Sequence, residues 1–288
     1  MKKTFLIAAM LMIVIPAMSS AQDLGRIISS SIGGIQQIAE ASKDITPSEE
    51  HYIGMAVAAT IISKYPLLQN PALNSYLNRV GLLVAAASER PETYGGYHFA
   101  VLTSDEPNAY ACPGGIILVN QGLLKQIKNE DQLAAILAHE VAHVAHRHGI
   151  RAIKKSRWTK FGFYVAGEVG SQYTSDQLGQ LAQEFQNVVM DVAKKVMESG
   201  YSKGDEKDAD SSGMRFAWAA GYNPGEMIEF IEAEAQAGKG HPVGPFSSHP
   251  KPADRVASLK RELSGLSPTG KTEKVRTSRY VAAVGNVK

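Results

Sequence analysis

Apolar residues recur at helical spacing along most of the chain and change to an extended period only between residues 97 and 119. Leu24, Ile27, Ile28, Ile32, Ile35 and Ile38 give residues 22–46 a weakly amphipathic helical pattern. Thr46-Pro47-Ser48-Glu49-Glu50 then sets a capping hydroxyl, a first-turn Pro and two acids at a helix start, predicting a helix to about Tyr65. Asn70-Pro71 opens another, with Leu73, Tyr76, Leu77, Val80, Leu83 and Val84 on one face. Tyr97–Leu102 and Ile116–Val119 read as strands, joined by a turn-rich connection over Asn108–Gly115. After a short helix from Gly122, Asn129 caps a longer one, with Gln132 placed to close a capping box. Leu133, Ile136, Leu137, Val141 and Val144 form its buried stripe, and Gly149 is a natural stop. Residues 150–200 look helical but interrupted by Gly162, Gly167 and Gly170, and helices follow at about 205–220, 224–237 and 251–264. There is no internal repeat. The order predicts an α+β fold, mostly helical, with a small sheet beside the helix that starts at Asn129.

The first residues follow a different logic. Lys2 and Lys3, an apolar run from Phe5 to Ile15 and Pro16-Ala17-Met18-Ser19-Ser20-Ala21 have the form of a signal peptide cut after Ala21. That run is shorter than the ~20 residues that span a bilayer, and no later stretch supplies a transmembrane segment. The expected organisation is a leader at 1–21, a helical segment at 22–46, a main domain at 47–265 and a flexible basic tail at 266–288. Removing the leader leaves 28 basic and 28 acidic residues, so no overall field draws the chain to nucleic acid. One cysteine, Cys112, excludes a disulfide framework and any multi-cysteine metal site, and it reads as a small core residue. Metal chemistry must therefore come from His and carboxylates.

Such residues stand together in His139-Glu140-Val141-Ala142-His143. Histidines four apart on a helix share a face about 6 Å apart along the axis, so both imidazoles can converge on one Zn²⁺. Glu140, turned away by about 100°, is placed to take a proton from water activated at the metal. His146 lies ~10 Å along the axis from His139 and His148 falls on a different face, so both read as residues behind the ligands or on the surface, not as ligands. A metzincin pattern is excluded, because His146 and Gly149 stand where it needs Gly and His. A third ligand must come from elsewhere. In Gly204-Asp205-Glu206-Lys207-Asp208-Ala209-Asp210, Glu206 could ligate while Asp210 orients an imidazole. Alternatively, these acids simply suit a helix N-terminus.

Taken in order, the motifs resemble the gluzincin-type zinc endopeptidase family that includes the CaaX prenyl protease, HtpX and the BepA-like periplasmic proteases. The matching pieces run from Glu49 to Leu263: Asn108-Ala109-Tyr110 with Pro113-Gly114-Gly115, the H-E-V-A-H helix, Glu206-x-x-Ala209-Asp210 with Ala220-Gly221-Tyr222-Asn223-Pro224, and Ser248-His249-Pro250 leading to Arg255. The resemblance implies a zincin-like metalloprotease domain over 47–265 and one Zn²⁺ per chain, held by His139, His143 and Glu206. It also implies Glu140 as catalytic acid/base and Asp210 as the partner of a ligating imidazole. Ser202-Lys203 replaces the family's usual Ser-Arg and loses a bidentate guanidinium. His249 either approaches the site, as an oxyanion donor or metal contact, or caps the helix beginning at Pro250. The function so implied is a secreted, periplasmic endopeptidase for misfolded or unassembled envelope proteins, with substrate extended along Ile116–Asn120 as an edge strand. The alternatives are a polypeptide-binding chaperone that keeps the fold, against which the intact Glu140 argues, and a zinc hydrolase of small amides or esters.

Overall fold

A capping box opens the first described helix: Thr46 Oγ1 accepts the Glu49 N–H, and the Glu49 carboxylate accepts the Thr46 N–H at 2.7 Å. The structure, a computed structural model, describes residues 45–151, 153, 175–237, 252–266 and 273–285. The leader, residues 22–44 of the helical segment expected over 22–46, the three glycines that interrupt residues 150–200 and the Ser248-His249-Pro250 motif lie outside the described residues. Helices α1 (Pro47–Lys64) and α2 (Pro71–Ala86) precede strands β1 (His98–Leu102), β2 (Ala109–Cys112) and β3 (Ile116–Asn120). Then come α3 (Gln121–Gln126), α4 (Glu130–Ala145), α5 (His148–Arg151), α6 (Ser175–Lys194) with a π-helical turn at Lys195–Ser199, α7 (Lys203–Ala219), α8 (Glu226–Ala237), α9 (Pro252–Leu263) and α10 (Glu273–Val284). The α+β, mostly helical expectation holds.

The sheet order is β1-β3-β2, with β1 parallel and β2 antiparallel to β3. This corrects two expectations. The turn-rich connection contains a strand, β2, and Ile116–Asn120 is the central strand rather than an edge. Side chains alternate between two helical layers, as a period of two requires. Phe99, Val101, Ala109, Ala111, Ile117 and Val119 face a core shared with α2, α4, α7, α8, α9 and α10. Leu102, Tyr110, Cys112 and Leu118 face a second core closed by α1 and α6. The outer edge of β1 is satisfied from α2, where Asn78 pairs with both Phe99 backbone groups and Asn74 accepts from Val101 N–H at 2.9 Å. That leaves β2, beside α4, as the other edge.

Helix α4 is buried along nearly its whole length, from Glu130 to Val144. Asn129 caps it through the Gln132 N–H at 2.7 Å, but the Gln132 side chain bonds the Lys128 N–H, so the expected box does not close. Helix α7 crosses α4 where Gly213 meets the backbone of His139. A Cβ at Gly213 would stand 2.9 Å from both N and Cα of His139. Gly213→Ala should therefore cost about 1–3 kcal/mol of stability through overpacking. It should also weaken metal binding, because His139 must shift. Denaturation midpoints and chelator competition check this; a wild-type midpoint would mean that the two helices can part without cost.

Residues 273–284 correct the flexible-tail expectation. They form α10, docked on α2 and α4 with Tyr280 and Val284 wholly buried. Arg276 pairs with Asp131 at 2.9 Å and with the Gly221 carbonyl at 2.8 Å, and Arg279 pairs with Glu130. Arg276 and Arg279 are thus partners of buried acids at the start of α4.

Candidate metal centre

Helices α4 and α7 bring His139, His143 and Glu206 together in the interior, each at most 2% exposed. His139 Nε2 and His143 Nε2 are 3.0 Å apart, and Glu206 Oε2 lies 3.5 Å from the first and 3.8 Å from the second. One donor atom from each falls within 4.8 Å of the others. Tetrahedral donors ~2.0–2.1 Å from one Zn²⁺ stand roughly 3.3 Å apart, a spacing that these distances bracket. Two imidazoles and one carboxylate are a donor set suited to zinc, and its single negative charge leaves a bound dication electrophilic.

The supports behind the donors are equally specific. His139 Nδ1 lies 3.0 Å from Asp210 Oδ1, and Arg255 clamps the same carboxylate through two bonds, Nε to Oδ2 at 2.7 Å and Nη2 to Oδ1 at 2.6 Å. A proton on His139 Nδ1 leaves the lone pair of Nε2 directed at His143 and Glu206. Burial works against charge on both His139 and Asp210. Even so, Asp210 and Glu206 raise His139 to about 9, while Arg255 and His139 hold Asp210 well below the usual carboxylate range. Glu140 is buried beside them, and burial pushes it up to about 7, with His139 and Arg255 opposing and Glu206 adding. That value suits a group that must both take and give a proton near neutrality.

The sequence of the chain matches the model of peptidase family M48 over residues 71–263. The chain belongs to that family. Like other M48 chains, it is therefore built to use a metal, usually zinc. It is 26% identical to the beta-barrel assembly-enhancing protease of Yersinia pestis over 260 residues, 86% of this chain and 49% of that protein. The Escherichia coli protein of the same name is 26% identical over 79% of this chain and 46% of its own length. The mitochondrial metalloendopeptidase OMA1 of Schizosaccharomyces pombe is 29% identical over 65% and 52%. The chain thus spans about half the length of these M48 relatives.

The structure brings together His139, Glu140, His143, Glu206, Asp210 and Arg255; His249 lies outside the described residues. His146 bonds Ser212 Oγ at 2.9 Å, away from the donors. His148 takes one of the two places expected for it, behind a candidate ligand rather than on the surface, and it gets there by a turn that the spacing did not show. Helix α4 ends at Ala145, not Gly149, and Arg147 takes a left-handed conformation (φ 56°) that turns His148 back under His143. Two further residues had no signal in the sequence. Tyr201 stacks on His143, with centroids 4.2 Å apart and planes 23° apart, and its hydroxyl lies 3.4 Å from the Ala111 carbonyl of β2. Glu50, wholly buried, pairs with Arg90 at 2.8 Å and Arg147 at 2.9 Å and accepts the Gly114 N–H at 3.2 Å. It ties α1 to the Pro113-Gly114-Gly115 turn and to the end of α4. Only its place in a helix start was visible, and many surface acids share that.

Proposed function

We propose that the chain is a zinc-dependent endopeptidase of the bacterial envelope that hydrolyses peptide bonds of exported proteins. The observation carrying this reading is the convergence of His139, His143 and Glu206 with the buried carboxylate of Glu140 beside them. The first two relatives are named for beta-barrel assembly, which supports envelope proteins as the substrate class. The basic and apolar pattern of residues 1–21 supports export to the periplasm. No described helix is long and apolar enough to cross a membrane.

In this reading His139, His143 and Glu206 hold one Zn²⁺, which when bound supplies Lewis acidity to the scissile carbonyl and acidifies water. Glu140 takes the proton of the attacking water on its carboxylate and delivers it to the leaving amine. Asp210, neutralised by Arg255, keeps the Nδ1 proton of His139 and so keeps Nε2 available as a donor. Substrate extends along the outer edge of β2, the edge that runs beside α4, in place of the central strand. The test is cleavage of an unfolded polypeptide by the purified protein. Activity should disappear with a chelator and return with zinc at about one equivalent per chain; hydrolysis unaffected by complete metal removal would overturn the reading.

A further inference from the structure

The second imidazole of the site is held from behind by another histidine. His143 Nδ1 and His148 Nδ1 are 2.8 Å apart, with ring planes at 73°, and both side chains are buried. A contact between two ring nitrogens needs one N–H and one lone pair, so the tautomers of the two rings are tied together. On the metal reading above, on which this inference rests, His143 Nε2 supplies a lone pair. Its proton then sits on Nδ1 and is donated to His148 Nδ1. His148 must carry its own proton on Nε2, which faces Asp205 Oδ1 at 3.7 Å.

We infer that His148 is the positioning residue for His143, a neutral acceptor that fixes the tautomer and ring angle of that ligand. Its role parallels that of Asp210 behind His139, with an imidazole in place of a carboxylate. Two features of the fold make this arrangement possible. The left-handed Arg147, anchored on Glu50 and on the Ile45 carbonyl, swings His148 beneath α4. Tyr201 stacks on His143, so the ring plane is set by stacking while the Nδ1 bond sets which nitrogen faces Glu206. Behind His148, Asp205 accepts from Arg151 Nη2 at 2.6 Å and closes the capping box of Ser202 that starts α7. Glu206 is the next residue. The orientation of His143 is thereby linked to the helix start that presents Glu206.

Three measurements test the inference. ¹⁵N NMR of histidine-labelled, zinc-loaded protein should show His143 protonated at Nδ1 and His148 at Nε2; a proton on His148 Nδ1 would overturn it. His148→Phe keeps a ring but removes the acceptor, and zinc affinity by chelator competition should weaken ~10–100-fold. His148→Asn sets an amide oxygen near the place of Nδ1 and should recover most of that loss. The visible spectrum of the Co²⁺-substituted protein should change in the Phe variant and return in the Asn variant. Equal affinity of His148→Phe and wild type, or equal loss in both variants, would overturn the inference. Melting curves in chelator separate a folding defect from a metal-site defect. Wild type without measurable zinc affinity would remove the metal reading and this inference with it. Zinc binding by wild type that His148→Phe leaves unchanged removes the inference alone.

Discussion

Glu140→Gln should leave a folded protein that holds zinc and binds unfolded polypeptide but cleaves it at least ~10²–10⁴-fold more slowly. The substitution preserves the size and helix preference of the side chain. It removes the one function that an amide cannot perform, accepting a proton from water and passing it on. The three donor side chains are untouched, and β2 keeps its edge, so metal content and polypeptide binding should match wild type. Metal analysis, binding and cleavage must be measured on one preparation. Cleavage at the wild-type rate, with contaminating protease excluded, would defeat the mechanism. Binding of unfolded chains by a wild type that never cleaves would transfer the assignment to a chaperone.

The second large effect separates Glu206 from Asp210, two acids one helical turn apart. Glu206→Gln should abolish zinc retention and activity together, because two neutral imidazoles alone hold the metal poorly. Asp210→Asn should retain zinc with an affinity reduced ~10–100-fold, since the amide oxygen can still accept from His139 Nδ1. The variants differ in a second readout as well. Asp210 and Arg255 form a buried two-bond pair, and losing one charge of such a pair typically costs about 3–5 kcal/mol. The melting temperature of Asp210→Asn should therefore fall, even in chelator. Full zinc and activity in Glu206→Gln would assign the third donor to another carboxylate.

The H-E-V-A-H helix, its apolar stripe and the capped starts of α1, α2 and α4 were legible because each depends on residues within a turn or two of one another. The juxtaposition of His139, His143, Glu206 and Asp210 followed from helical spacing combined with a family resemblance, not from spacing alone. What escaped depended on long-range geometry. Strand β2 is buried at every position, so Ala109-Tyr110-Ala111-Cys112 shows no polar alternation and reads as part of a turn. Which strand lies in the middle of the sheet is a property of topology, and the sequence of Ile116–Asn120 is silent about it. The site of His148 depends on one left-handed residue, Arg147, held by a carboxylate about 100 positions earlier in the chain. Helix α10 did carry a signal. Arg276, Tyr280 and Val284 recur every four residues on its buried face, a stripe obscured by the basic composition around it.

That helix has a consequence for the order in which the protein matures. The first turn of α4 is completed by Arg276 on Asp131 and Arg279 on Glu130, contacts spanning 145 and 149 residues. Closing loops of that length is slow, and it cannot begin before the ribosome has passed residue 279. The helix bearing His139, Glu140 and His143 thus gains its last anchors when nearly everything else in the domain has already been made. A nascent chain halted before residue 273 has both histidines and Glu206 but lacks the clamp on the helix that carries two of them. On the function proposed above, a chain lacking residues 273–284 would carry all three donors on a helix whose first-turn acids, Glu130 and Asp131, have lost their arginine partners.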